Sequence, residues 1–233
     1  MPSKNITKIY IENGYYHVYN RGVEKRKIFL DEQDYAVLLY FLKQYLSPPP
    51  PDGAFLTMTG FNPIRPRPIQ PLDEEINLLA FCLMPNHFHF LLKQKTIDGI
   101  TKLLHRICTS YSMYFNKKYD RVGKLYQGTY KAALIDRNEY LLHLSRYIHL
   151  NPVIDKVPPC QGYKACTKPS EYPFSSYQYY LNKKKADWVK PDEILSFFKT
   201  AQKTFPKDIF SYQSFVEDYL EDDKEILRKL VIE

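Results

Sequence analysis

The stretch INLLAFCLMPNHFHFLLK, Ile76 to Lys93, decides how the chain folds. Two apolar runs flank Pro85-Asn86, a pair that favours reversal of the chain, so the segment reads as strand, tight turn and strand. Side chains two apart on a strand share a face. His87 and His89 therefore project together, while Phe88 and Phe90 point the other way into a core. Two imidazoles on one face can converge on a metal ion, although an isolated His-x-His pair also arises by chance.

Outward from this hairpin the pattern stays legible. Tyr15 to Phe29 alternates and then turns basic at Arg21-Gly22-Val23-Glu24-Lys25-Arg26-Lys27, which predicts a first strand ending in a basic loop. Asp31 can cap the helix that follows, where Tyr35, Leu38, Leu39, Leu42, Tyr45 and Leu46 recur at helical spacing until Ser47 and four prolines stop it. On the other side, Ile97 to Tyr119 is a long amphipathic helix and Gly123 to Ile135 is extended. A third helix runs from about Asn138 to Leu150, ending before Pro152 because the proline ring disfavours helical geometry at the residue ahead of it. Strand, helix, strand, strand, helix, strand, helix predicts an α+β fold, an antiparallel sheet with helices packed on one face.

Pro48 to Asp73 is dense in proline without a sustained period and reads as a surface insertion, with Arg65 and Arg67 in a solvated loop. Beyond Pro152 come a proline- and lysine-rich connector and helical patterns near 191–200 and 208–230. The expected division is one domain over 1–182, containing the insertion at 48–73, and a helical C-terminal extension over 183–233.

Lysine and arginine number 33 against 26 acidic residues, a formal net charge of +7 that favours a polyanionic partner. The 21 tyrosines and 14 phenylalanines matter here because exposed rings on a basic surface stack unpaired bases; burial in the core accounts for many of them equally well. No apolar run approaches the roughly 18–20 residues needed to cross a bilayer, and the polar start MPSKNITKIY lacks a signal peptide's apolar segment. A cytoplasmic protein with no membrane partner is expected. Cys82, Cys108, Cys160 and Cys166 show no Cys-x-x-Cys spacing and read as reduced thiols, Cys82 and Cys108 as packing residues.

On the third helix Tyr147 and Asn151 are four apart, so they share a face with Cβ atoms roughly 5–6 Å apart. If that face meets the histidine strand, Asn151 can add a neutral oxygen ligand and Tyr147 can present its phenol to a metal-held phosphate. A helix tyrosine packed on the sheet explains the same spacing. His17 on the first strand reads as a hydrogen-bonded strand histidine, His105 and His143 as surface or packing residues, and His149 lies well round the helix from Tyr147. Tyr111, Tyr114 and Tyr119 are rival nucleophiles on the long helix. DNA contacts are expected from Arg21, Lys25, Arg26 and Lys27 in the first basic loop, and from Lys117, Lys118, Arg121, Lys124 and Lys131.

Four separated blocks, YHVYNRGVEKRKIF (Tyr16 to Phe29), LMPNHFHFLL (Leu83 to Leu92), GKLYQGTYKA (Gly123 to Ala132) and YLLHLSRYIHLNPV (Tyr140 to Val153), resemble the REP-associated tyrosine transposases of the His-hydrophobic-His (HUH) group. The resemblance covers about residues 10 to 182, including EYPFSSYQYYL. It implies a ferredoxin-like fold, a divalent metal (Mg2+ or Mn2+), and single-stranded or hairpin DNA from repeated palindromic elements as substrate. It also implies that His87 and His89 are the metal pair, Tyr147 the nucleophile and Asn151 the third ligand. Thr129 stands where such proteins usually carry arginine, Tyr126 replaces a common tryptophan, and segment 48–73 is longer than usual. The resulting expectation is a DNA transposase and endonuclease that is a monomer or homodimer; the alternatives are a nuclease using water and a hairpin-binding protein with a relict site.

Overall fold

Pro85-Asn86 turns the chain between β2 (Ile76–Met84) and β3 (His87–Gln94), which pair antiparallel from Ile76 against Gln94 to Met84 against His87. This is the computed structural model of the chain, and it describes residues 8–49, 70–156, 158, 165–201 and 211–218. β1 (Tyr15–Arg21) lies antiparallel between β3 and β4 (Lys131–Ile135), giving the order β2-β3-β1-β4. With α1 (Glu32–Leu46) after β1 and α2 (Gly99–Lys118) after β3, this is the split βαβ arrangement of the ferredoxin-like folds. α1 begins as its sequence predicts: the Asp31 carboxylate accepts from the Asp34 amide, and Asp34 returns the bond in a reciprocal capping box.

The sheet is apolar on both faces. Tyr16, Val18, Phe88, Phe90 and Leu92 pack with Leu38 and Phe41 of α1 and with Leu103 and Ile107 of α2. Ala80, Cys82, Met84 and Leu91 pack on the opposite face with Leu141, Leu144 and Ile148 of α3 (Asn138–Ile154). The expectation of helices on one face is thus corrected: α1 and α2 share a face and α3 covers the other. A bulge between Leu78 and Ala80 in β2 puts Leu79 and Ala80 into one core while Leu78 and Phe81 face the other, and two apolar faces need two covers.

α3 also runs past its expected end. Pro152 lies inside it, and the Asp155 amide still donates to the Asn151 carbonyl at 3.1 Å. Burial of Asn151 and Pro152 against the fold offsets the lost Pro152 N–H. Of the stretch expected to be extended, only Lys131–Ile135 is a strand; Gly123, at φ 97°, bends the chain upstream.

The C-terminal part packs on the rest of the fold. The chain pairs with the outer edge of β2 through the Lys190 amide and the Leu78 carbonyl at 2.8 Å, covering an otherwise open edge. After α4 (Tyr177–Tyr180), α5 (Asp192–Ala201) and α6 (Tyr212–Glu217) bury Ile194, Tyr212 and Val216 in the α3 core. The remainder of the 208–230 pattern, most of the 48–73 insertion with Arg65 and Arg67, and Cys160 lie outside the described residues. Among the described residues no helix is long and apolar enough to cross a membrane.

Candidate functional site

Residues directly opposite on neighbouring strands share a face. Tyr19 sits opposite His89 and Arg21 opposite His87, while Lys131 of β4 sits opposite Tyr19 on its other side. All five therefore lie on the face that α3 covers, and so does His17, opposite Leu91. The His87 and His89 rings are 4.8 Å apart at 89°. α3 brings the Tyr147 ring to 5.7 Å from His89, edge to face at 86°, with Tyr147 half-buried. α3 thus brings Tyr147 up to the histidine pair. Asn151 follows one helical turn later, 4% exposed, and its amide nitrogen is buried with no hydrogen bond.

A buried polar chain fixes α3 in place. Tyr212 of α6 donates to the Ser145 hydroxyl at 3.0 Å and lies 2.7 Å from Nδ1 of His149. Nε2 of His149 is 2.7 Å from the Ser176 hydroxyl, which accepts from the Phe81 amide of β2 at 2.8 Å. A neutral His149 serves both contacts, donating through one ring nitrogen and accepting through the other. Complete burial agrees, pushing its pKa down to about 3. The Arg146 guanidinium stacks over Phe215 and donates to its carbonyl at 3.4 Å, a second tie to α6. His149 is therefore part of the frame and points away from the Tyr147 side.

Each imidazole of the pair is held through Nδ1. For His87 the partner is Oδ1 of Asn86 at 2.6 Å; the Asn86 amide in turn donates to the Lys25 carbonyl at 3.3 Å, which fixes its orientation. An amide oxygen only accepts, so the His87 proton is on Nδ1 and its lone pair on Nε2. For His89 the partner is Nε2 of His17 at 2.9 Å. Among the described residues no cluster of three or more His, Cys, Asp or Glu side chains is placed to hold a metal. A cation here would rely on two imidazoles and the Asn151 amide, whose nitrogen and oxygen exchange places by a simple flip. That mixed nitrogen and oxygen set fits a divalent ion such as magnesium or manganese with positions left for a phosphate.

Beside His87 opens a cavity of about 450 Å³ lined by Lys8, Tyr19, Arg21, Tyr130 and Lys131 among others. The Lys131 ammonium lies 5.5 Å over the Tyr19 ring and that of Lys8 4.4 Å over Tyr130. Cations and rings along one wall suit a nucleotide strand. Of the nine basic residues nominated from sequence, Arg21 and Lys131 line this cavity, and Lys25, Lys27, Lys117 and Lys124 are exposed. The 21–27 loop and the 123–131 segment meet at this end of the sheet, where the Val23 amide donates to the Leu125 carbonyl at 2.9 Å.

The others are occupied. Arg26 pairs with Glu24 at 3.4 Å, Arg121 donates to Asn116 and sits over Phe115, and Lys118 binds Asp31 and Asp34 at 2.7 and 2.9 Å. Burial works against the Lys118 charge, but the two carboxylates win and hold its pKa above the usual lysine value. The rival tyrosines belong to this same cluster on the far face: Tyr114 and Tyr119 each bond Asp34 at 2.8 Å, and buried Tyr111 donates to the Ile28 carbonyl. Burial raises the pKa of all three phenols.

Sequence reasoning passed over Asn86, Tyr19, Tyr130 and Lys8. Alternation along β1 was the available signal for Tyr19, since His17, Tyr19 and Arg21 must share a face. Nothing local marks Lys8 or Asn86.

Comparison with known proteins gives a family match over part of the chain and a shared fold. The family described as Transposase IS200 like matches residues 71–151, a span that takes in both histidines, Tyr147 and, as its last residue, Asn151, but not β1. No curated protein matches the chain in sequence. Among solved structures, a REP-associated tyrosine transposase bound to a REP hairpin shares the fold, with TM-score 0.53 and 15% identity over 81% of this chain and 92% of that one. A candidate transposase from Deinococcus radiodurans R1 aligns over 64% of this chain and 95% of its own at 13% identity, with a TM-score of 0.35 that carries no weight. Residues 71–151 thus resemble the IS200-like transposases, and the chain has an antiparallel sheet and helix fold shared with a REP-associated tyrosine transposase.

Proposed function

We propose that this chain cleaves and rejoins single-stranded, hairpin-bearing DNA through a covalent bond between Tyr147 and phosphate. The observation that carries the reading is the Tyr147 ring edge-on to His89, whose neighbouring ring, His87, lines a basic cavity. The substrate class is supported by the hairpin-bound relative of the same fold.

His87 and His89, through Nε2, and Asn151, through its amide oxygen, would hold a divalent cation, which when bound supplies positive charge to the scissile phosphate. The chain's own groups do the rest. Arg21 and Lys131 take the flanking phosphates, and Tyr19 and Tyr130 offer rings to unpaired bases. Tyr147, fixed by the α3 frame, places its phenol oxygen for attack. As the phenol gives up its proton, its oxygen bonds to phosphorus, and the displaced sugar oxygen leaves with a proton as a hydroxyl end. The phosphotyrosine link retains the energy of the broken bond, so a second hydroxyl end can reverse the step without ATP. In this reading α5 and α6, within segment 183–233, hold α3, and residues 1–182 form the transposase domain.

The test is formation of a denaturant-resistant protein-DNA adduct on labelled hairpins drawn from the source genome's palindromic repeats. An adduct that needs magnesium or manganese and disappears in Tyr147→Phe and His87→Ala is the expected result. Cleavage that persists in Tyr147→Phe would overturn the tyrosine mechanism in favour of attack by water.

A further inference from the structure

His17 lies outside the matched family segment and two residues before Tyr19 on β1. Opposite Leu91 and Ala133, it sits in the middle of the sheet with strands on both sides. Its ring stacks on His89 with centroids 5.1 Å apart at 18°, and Tyr19 stacks on it at 4.8 Å. Nε2 of His17 and Nδ1 of His89 are 2.9 Å apart, with the two residues 2% and 0% exposed. Between two neutral rings a single proton occupies that bond, and its side matters. If His89 donates, its own Nε2 keeps a lone pair for a metal; if His17 donates, Nε2 of His89 carries a hydrogen and cannot ligate.

We infer that His17 is a positioning residue that accepts the Nδ1 proton of His89, fixing the tautomer and the aim of that imidazole. The inference rests on the reading of His87 and His89 as metal ligands. Asn86 does the same for His87 from the β2–β3 turn, so two elements independently tether two Nδ1 atoms and leave both Nε2 atoms as the donors. A ligand imidazole bonded through its second nitrogen is held in orientation and made more basic, and losing such a partner typically costs about 10–100-fold in metal affinity. β1 thereby contributes to the site without touching the cation.

The experiment uses the whole chain, with histidines labelled by nitrogen-15, and two readouts. Long-range proton-nitrogen correlation without metal reports the His89 tautomer, and calorimetric titration with Mn2+ reports affinity, for wild type, His17→Phe, His17→Gln and His87→Ala. We expect an Nδ1-protonated His89 in wild type, and about a 10–100-fold loss of Mn2+ affinity in His17→Phe. His17→Gln, whose amide oxygen can still accept, should recover most of that loss. An Nε2-protonated His89 in wild type overturns the inference even if the Phe variant fails to fold. So does a folded His17→Phe that binds Mn2+ within about twofold of wild type while His87→Ala has lost it; the ligand reading survives that result. Mn2+ affinity unchanged in His87→Ala removes the ligand reading itself, and the role of His17 falls with it.

Discussion

The two faces of β3 are made of neighbouring residues and have opposite characters. Phe88 and Phe90 stack on each other at 4.5 Å and vanish into the α1/α2 core, a face defined by one alternating run. His87 and His89 look out on the other side, where the frame is assembled from β1, the β2–β3 turn, β4 and α3. An apolar face needs only volume and hydrophobicity from its partners. A polar buried face needs a partner for each donor and acceptor, so its members come from several elements that meet only in the fold.

If the faces divide labour in this way, substitutions should separate chemistry from stability. The largest effect is expected from Tyr147→Phe: the adduct drops below detection, while stability in urea changes by no more than about 1.5 kcal/mol, the worth of one hydrogen bond. Phe88→Ala, one residue from each histidine, should cost about 3–5 kcal/mol by chemical denaturation. The protein that remains folded should bind Mn2+ as wild type does. Equal loss of metal affinity in that variant would show that the faces are not separable.

His149 tests the α3 frame through pH. Its folded pKa, near 3, is depressed below the unfolded value near 6.5, so the unfolded chain takes up the proton first as the medium is acidified. The stability it confers is complete above about pH 6.5 and is lost progressively down to about 3. Thermal midpoints measured from pH 7 to pH 4 should fall in wild type, and the fall should be shallower in His149→Gln.

Two lysines sharpen the contrast at smaller scale. Lys118→Ala deprives buried Asp34 of its cation and should cost roughly 1–3 kcal/mol with little change in DNA affinity. Exposed Lys124→Ala should leave stability within about 0.5 kcal/mol. If it meets a phosphate, it should reduce the slope of log affinity against log salt by about 1. The reverse assignment of effects would place the DNA on the Asp34 side.

Much of this was legible before any coordinates. The β2–β3 hairpin, the cap at Asp31 and the stop at Ser47 follow from local chemistry, which does not depend on distant contacts. Pro152 argues locally for termination of α3 at Leu150, whereas burial of Asn151 and Pro152 sustains about another turn, to Ile154. Lys118 and Arg121 look like DNA ligands in one dimension because their carboxylate, amide and ring partners come partly from another helix and only fold onto them in three.

By itself, then, the sequence determined the alternation that sends His87 and His89 one way and Phe88 and Phe90 the other, and the spacing that pairs Tyr147 with Asn151. Periods of two and of about four residues are properties of a strand and a helix alone. Only the tertiary structure decided that Tyr147 meets His89, that Tyr111, Tyr114 and Tyr119 lie on the far side of the sheet, and that His17 and Asn86 tether the two imidazoles. Those pairings join residues distant in the chain or depend on side-chain direction, and strand register and helix packing set both.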